Sequence, residues 1–206
     1  MHARSLTVLG DPRALDAGIG HIRDEVMPAV RELPGYVVLS MLVDRSSGRS
    51  TVISAWRDEP SGRAAAAALR AVHGRAAAVL GGPPEDEQWS IAVLHRDRAA
   101  PAPACVRATW LRINPGHADH VIDVYRLALL PQILEFEGFC GAGLLVDRES
   151  GYGVSMVGFA GHEAMRLTRN LAAVVRERGA REVDAEVVEV GEFELALAHL
   201  RAPEPA

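Results

Sequence analysis

The sequence contains one pattern twice. Leu33 to Trp56 reads LPGYVVLSMLVDRSSGRSTVISAW, and Phe136 to Phe159 reads FEGFCGAGLLVDRESGYGVSMVGF. Gly35 returns as Gly138, Leu42-Val43-Asp44-Arg45 as Leu145-Val146-Asp147-Arg148, and Ser47-Gly48 as Ser150-Gly151, always 103 positions on. In a chain of 206 residues this leaves about 100 residues per copy, close to a typical domain size. Whatever one half folds into, the other half folds into as well.

Local signals give the order of elements. Ser5 to Leu9 reads as a strand, and Asp11-Pro12 as a helix cap followed by proline at the first helical position. Leu15, Ile19, Ile22, Val26, Val30 and Leu33 then fall on one helical face, with a kink expected at Pro28 and a stop at Pro34-Gly35. Tyr36 to Asp44 and Ser50 to Trp56 form a hairpin across Ser46-Ser47-Gly48. A second helix runs from Pro60-Ser61 to about Leu80, where Gly81-Gly82-Pro83-Pro84 breaks it, and Gln88 to His95 is a fourth strand. The unit is βαββαβ.

The second half repeats it. Arg107 to Ile113 is its first strand, Asn114-Pro115 its cap, Glu163 to Arg178 its second helix, and Glu186 to Leu200 its last strand, with a bend at Gly191. Trp89 and His95 align with Phe193 and His199, so one residue is gained before the last strand. The domains are therefore 1–97 and 105–206, joined by a Pro/Ala linker over 98–104, and the tail after Arg201 reads as mobile.

Composition narrows the function classes. A net charge of −5 argues against a nucleic-acid groove, and no apolar run approaches a membrane span. All 22 basic residues are arginine, which rules out Schiff-base and lysine-base chemistry. Cys105 and Cys140 make neither a disulfide framework nor a CxxC site and are expected to stay free; a reduced, cytoplasmic protein follows as the expectation.

In the second strand, Val37, Leu39, Met41 and Val43 alternate with Tyr36, Val38, Ser40 and Leu42, so both faces are to be buried. Helices cover one face, and the second half's sheet is the partner at hand for the other. An α+β fold results, in which two sheets related by a pseudo-two-fold close a barrel within one chain.

With the helix ending in PGY or EGF, the hairpin, and Trp56-Arg57-Asp58 leading into helix two, the chain resembles the dimeric α/β-barrel superfamily and its antibiotic-biosynthesis-monooxygenase type of domain. The resemblance implies two ferredoxin-like βαββαβ repeats forming an intramolecular dimeric α/β barrel, a pseudo-dimer. It further implies a small-molecule ligand and a cofactor-independent monooxygenase acting on a phenolic or polyketide-like compound. A non-catalytic binding or assembly protein of the same fold is the alternative. Haem degradation is less favoured, because Leu6 and Thr109 stand where those relatives carry asparagine, alanines and Leu167 or Thr168 where they carry tryptophan, and His73 falls short of their histidine position.

Under this reading Trp110, His117 and Tyr125 are the candidate catalytic residues, and Gly141, Gly143 and Phe159 the candidate substrate-binding residues. Gly141 and Gly143 replace Val38 and Ser40, removing bulk from one strand face, which places the expected pocket in the second half. His117 and His120 are three apart beside Asp119 and Asp123, but they lack an evident third ligand, so no metal site and no cofactor are expected. Trp56, Trp89 and Tyr36 read as core, and the matched pair His95 and His199 as shared architecture.

Overall fold

The structure, a computed structural model, describes residues 1–97 and 103–200. Most of the expected linker (98–102) and the tail from Arg201 lie outside the described residues. The strands are β1 (His2–Leu9), β2 (Tyr36–Asp44), β3 (Arg49–Trp56), β4 (Pro84–Arg96), β5 (Cys105–Arg112), β6 (Phe139–Asp147), β7 (Tyr152–Phe159) and β8 (Glu186–Leu200). Hydrogen-bonded neighbours run β1-β3-β2-β8-β5-β7-β6-β4 in an antiparallel order that closes into a barrel, as expected for this α+β fold.

The chain forms two compact units, Met1–Trp89 with the segment from Leu195 onward, and Ser90–Glu194. The long strands β4 and β8 therefore each begin in one unit and end in the other. In the second unit His95, from the first repeat, packs on Phe139 at 6.1 Å. In the first unit His199, from the second repeat, receives Tyr36, whose hydroxyl lies 2.9 Å from its Nδ1.

Within each unit the sequence explains the turns. Gly35, Gly48, Gly138 and Gly151 all adopt positive φ, between 70° and 80°, where a Cβ would be strained. Asp44 accepts from the Ser46 amide and from the Ser46 and Ser47 hydroxyls; Asp147 does the same for the Glu149 amide and the Ser150 hydroxyl. Both hairpins are locked by one carboxylate.

The first helical arm of the first unit is α1 (Leu15–His21), a π turn (Ile22–Val26) and α2 (Met27–Arg31). That of the second is α4 (Ala118–Val124), a π turn (Tyr125–Leu129) and α5 (Leu130–Ile133). The expected kink at Pro28 takes this form. Met27, just before Pro28, donates to Ile22 O, and Leu130, just before Pro131, donates to Tyr125 O, each five residues back. Proline offers no N–H and crowds the preceding turn, and the wider π turn takes up the misfit.

The second helix is α3 (Glu59–Leu80) in the first unit, capped by Asp58 through Ser61 N and ended by Gly81 at φ 83°. In the second unit the expectation of one helix is corrected. It breaks at Thr168 into α6 (His162–Leu167) and α7 (Arg169–Glu182). The Thr168 hydroxyl bonds back to the Ala164 and Met165 carbonyls, a local competition that bends helices. Ala65 stands at the matching position of the unbroken helix.

Each unit has its own helix–sheet core. In the first it centres on Leu39, Met41, Val43, Trp56 and Leu69, and in the second on Leu144, Val146, Phe159 and Met165. Trp56 and Trp89 are core as expected, their indole N–H groups donating to Ser54 and Ser5. Cys105 and Cys140 are free and buried, since β7 separates their strands. Among the described residues no helix is long and apolar enough to cross a membrane.

Candidate functional site

Strand alternation builds the floor of a cavity in the second unit. Thr109 on β5 registers with Ser155 on β7, which registers with Leu144 on β6, making one row across three strands. Arg107 and Leu111 share that face, two residues either way along β5. Val121, Val124, Tyr125 and Leu129 of the first helical arm and Ala172, Val175, Arg176 and Gly179 of α7 form the roof. They enclose a cavity of about 70 Å³, within a cleft whose empty space, counted out to solvent, is about 740 Å³. The walls are mostly apolar, with Arg107, Thr109, Tyr125, Ser155 and Arg176 as the polar groups. Apolar walls with a few placed polar groups are the usual composition of a small-molecule site.

Tyr125 opens the π turn and is 3% exposed. Its hydroxyl donates to Gly143 O and accepts from Ser155 Oγ, both at 3.4 Å. Bonds between oxygens are normally about 2.7–2.8 Å, so the phenol is loosely held and free to turn to a better acceptor. Burial pushes its pKa up to about 12, with the Ser155 hydrogen bond opposing. At neutral pH it is therefore a donor, not a base.

Arg107 is fully engaged. Its guanidinium reaches Glu192 Oε1 at 2.9 and 3.1 Å, donates to the Met165 carbonyl and the Thr168 hydroxyl where the helix breaks, and lies 5.3 Å over the Phe159 ring. Glu192 also receives Arg169 at 2.6 Å. Burial raises the Glu192 pKa, but Arg169 and Arg107 outweigh it and hold the group below its ordinary value. Arg176, about two turns further along α7 than Arg169, has no hydrogen bond or ion pair among the described residues. Burial, and then the neighbouring Arg107 charge, lower its pKa.

The matching place in the first unit holds a cavity of about 20 Å³ lined by Arg4, Leu6, Val52, His73 and Asp86 among others. There Arg4, which aligns with Arg107, pairs with Asp86, and His73, which aligns with Arg176, has its pKa lowered by burial despite the nearby Asp86.

The sequence-derived candidates disperse. Tyr125 lines the cavity. Phe159 lies beyond its lining, stacked on Phe136 at 6.4 Å and under Arg107. Trp110, one residue out of phase with Arg107 and Thr109, faces away from the helices and meets Phe193 edge-on at 6.0 Å, with Gly191 making room. His117 is exposed in the 3-10 turn Pro115–His117, and His120 is exposed beside it. Gly141 and Gly143 turn their missing side chains toward the β4 backbone, where a Cβ would meet His95 O at 3.0 Å and Val93 O at 3.5 Å. A bulge between Phe139 and Gly141 resets the alternation, so both glycines lie on the face opposite Phe139 and Leu144. Among the described residues no group of three or more His, Cys, Asp or Glu could hold a metal ion.

Residues that single-position reading passed over are Arg107, Thr109, Ser155, Ala172 and Arg176. Aligning the halves would have found most of them. Leu6, Ile22, Val52 and Leu69 become Thr109, Tyr125, Ser155 and Ala172, three apolar groups turned into hydroxyls and one large side chain removed.

No protein-family model matches the chain. The uncharacterized protein Rv2558 of Mycobacterium tuberculosis is 43% identical over 205 residues, covering 99% of this chain and 87% of its own length. Among solved structures, an anthrone oxidase-like protein superposes with a TM-score of 0.69 at 12% identity, covering 97% of this chain and 93% of its own. A ferredoxin-fold protein of Listeria monocytogenes related to antibiotic biosynthesis monooxygenases gives 0.55 at 8% identity, covering 95% and 94%. The chain thus belongs to the family of the mycobacterial protein Rv2558, and its fold is the dimeric α/β barrel of the antibiotic-biosynthesis-monooxygenase type.

Proposed function

We propose that the second unit's cavity binds a small planar compound and supports its oxidation by molecular oxygen without a cofactor, the substrate being phenolic or polyketide-like. The observation that carries this reading is the row Thr109–Ser155 beneath the loosely bonded Tyr125 hydroxyl, set in apolar walls. The anthrone oxidase-like relative gives a concrete reaction class. A ring CH₂ flanked by phenolic rings becomes a carbonyl, one oxygen atom of O₂ enters the ring and the other leaves as water. The substrate supplies all four electrons, so no further reductant is needed.

Within that reaction Tyr125, neutral at working pH, donates to the oxyanion that forms as the substrate ionises, and the apolar walls exclude water from it. A second reading has its own support: among the described residues no carboxylate or histidine lines this cavity to act as base. In that reading the unit binds its ligand and leaves it unchanged.

Oxygen uptake with an anthrone as substrate separates the two. Catalysis predicts uptake matched by anthraquinone formation and lost in Ala172→Leu, which fills the cavity. Binding with no uptake and full recovery of the anthrone establishes the second reading. Uptake unaffected by Ala172→Leu places the reaction elsewhere.

A further inference from the structure

We infer that the ligand of the second unit's cavity carries an acidic oxygen, a carboxylate or an ionised phenol, and that this oxygen pairs with Arg176. The inference rests on the proposal that the cavity is a small-molecule site, and adds to it the charge of the ligand and the residue that reads it.

Arg107 and Arg169 share the single carboxylate of Glu192. Arg176 lines the cavity half-buried and has no partner among the described residues. Glu177, next in the chain, is exposed and attracts it without forming an ion pair. Two guanidinium groups therefore share one carboxylate, and a third, near enough to Arg107 to feel its charge, lines the cavity without an ion pair. A cation taken partly out of water without a partner costs free energy that a bound anion restores.

The first unit differs in its charges. At the position of Arg176 it has His73, whose pKa burial lowers, and its Arg4 is matched by Asp86. The smaller cavity is thus balanced by its own side chains, whereas the larger one is left positive.

Thr109, Ser155 and the Tyr125 hydroxyl can bond an oxygen substituent at one place, while Arg176 lies on α7 in the roof. A planar ligand with a polar group at each end satisfies both.

The test uses 2-naphthoate and its neutral isostere 2-naphthamide as probes, with affinities measured by calorimetry on the full chain. Naphthoate is expected to bind at least about tenfold more tightly, the usual worth of a charge-assisted hydrogen bond. Arg176→Gln should erase that difference while leaving naphthamide affinity in place, and Arg178→Gln, an exposed arginine two residues on, should leave it intact. 2-Naphthol distinguishes the two acid classes: appearance of the phenolate absorption band on binding at neutral pH identifies an ionised phenol, and its absence with tight naphthoate binding identifies a carboxylate. Equal binding of naphthoate and naphthamide, or a preference that survives Arg176→Gln, overturns the inference and leaves the cavity reading standing. Failure of all three probes to bind, with thermal unfolding unchanged, overturns both.

Discussion

The two units share their strands, their π turns and their turn-locking aspartates, yet their helix–sheet layers end differently. In the first, Gly18 lies where a Cβ would meet the Leu80 side chain at 2.3 Å, so the two helical arms close directly on each other. Leu69 then fills the space beneath them at 4% exposure. In the second, Val121 takes the place of Gly18, Tyr125 that of Ile22 and Ala172 that of Leu69. A larger residue holds the helices apart, a smaller one leaves the gap unfilled, and hydroxyls line what remains. The fold tolerates both outcomes, so the cavity follows from a few side chains rather than from topology.

The sharpest break of this comparison is an exchange at one aligned position. Leu69→Ala is expected to cost about 2–5 kcal/mol, because it opens a void in a filled core. Ala172→Leu should leave the urea midpoint unchanged or raise it, since the space is already there. If both changes destabilise equally, the second cavity is not fillable space and the contrast fails.

Next in size is the strand arginine. Arg107→Met removes a guanidinium 5% exposed that holds Glu192, Met165 and Thr168 together. A loss of about 2–3 kcal/mol is expected, below the full cost of breaking a buried pair because Glu192 is 26% exposed and keeps Arg169. Arg4→Met should cost about 0–1 kcal/mol, since its partner Asp86 is 46% exposed. Chemical denaturation of both variants checks the order; equal losses would show the two arginines to be alike in energy, and a reversed order would overturn the ranking.

The smallest effect appears only in alkali. Burial raises both Tyr125 and Tyr36 to about 12, one phenol in each unit. A folded-state pKa above the unfolded value near 10 means the stabilisation is complete below about pH 10 and is lost as pH rises toward 12. Tyr125→Phe should therefore flatten the alkaline limb of the stability profile and leave pH 7 nearly untouched. An unchanged limb in Tyr125→Phe, with a flattened one in Tyr36→Phe, would assign the whole effect to the first unit.

The fold was legible because the repeat keeps one offset through both helices: even Gly81, at φ 83°, matches Asp184 at φ 51°. The site was less so. Loss of bulk at Gly141 and Gly143 was readable, but the face it lay on depended on a bulge that leaves no mark in the sequence. The same bulge between Tyr36 and Val38 puts Tyr36 with Leu39 and Met41 in the core, against strict alternation. Arg107 and Arg176 were hidden for another reason. In a chain whose basic residues are all arginine, nothing local separates a buried guanidinium from a solvated one.

The segment from Leu195 onward belongs to the first unit, although it is made last. Ala196 and Leu197 pack against that unit's core, and His199 supplies the partner of Tyr36. Met1 to Trp89 leaves the ribosome early but cannot finish its core until residues 195–200 follow, long after the second unit has begun to form. A chain stopped at Glu194 would keep the second unit's residues intact and leave the first unfinished, so damage at one end of the polypeptide would appear in the half that was translated first.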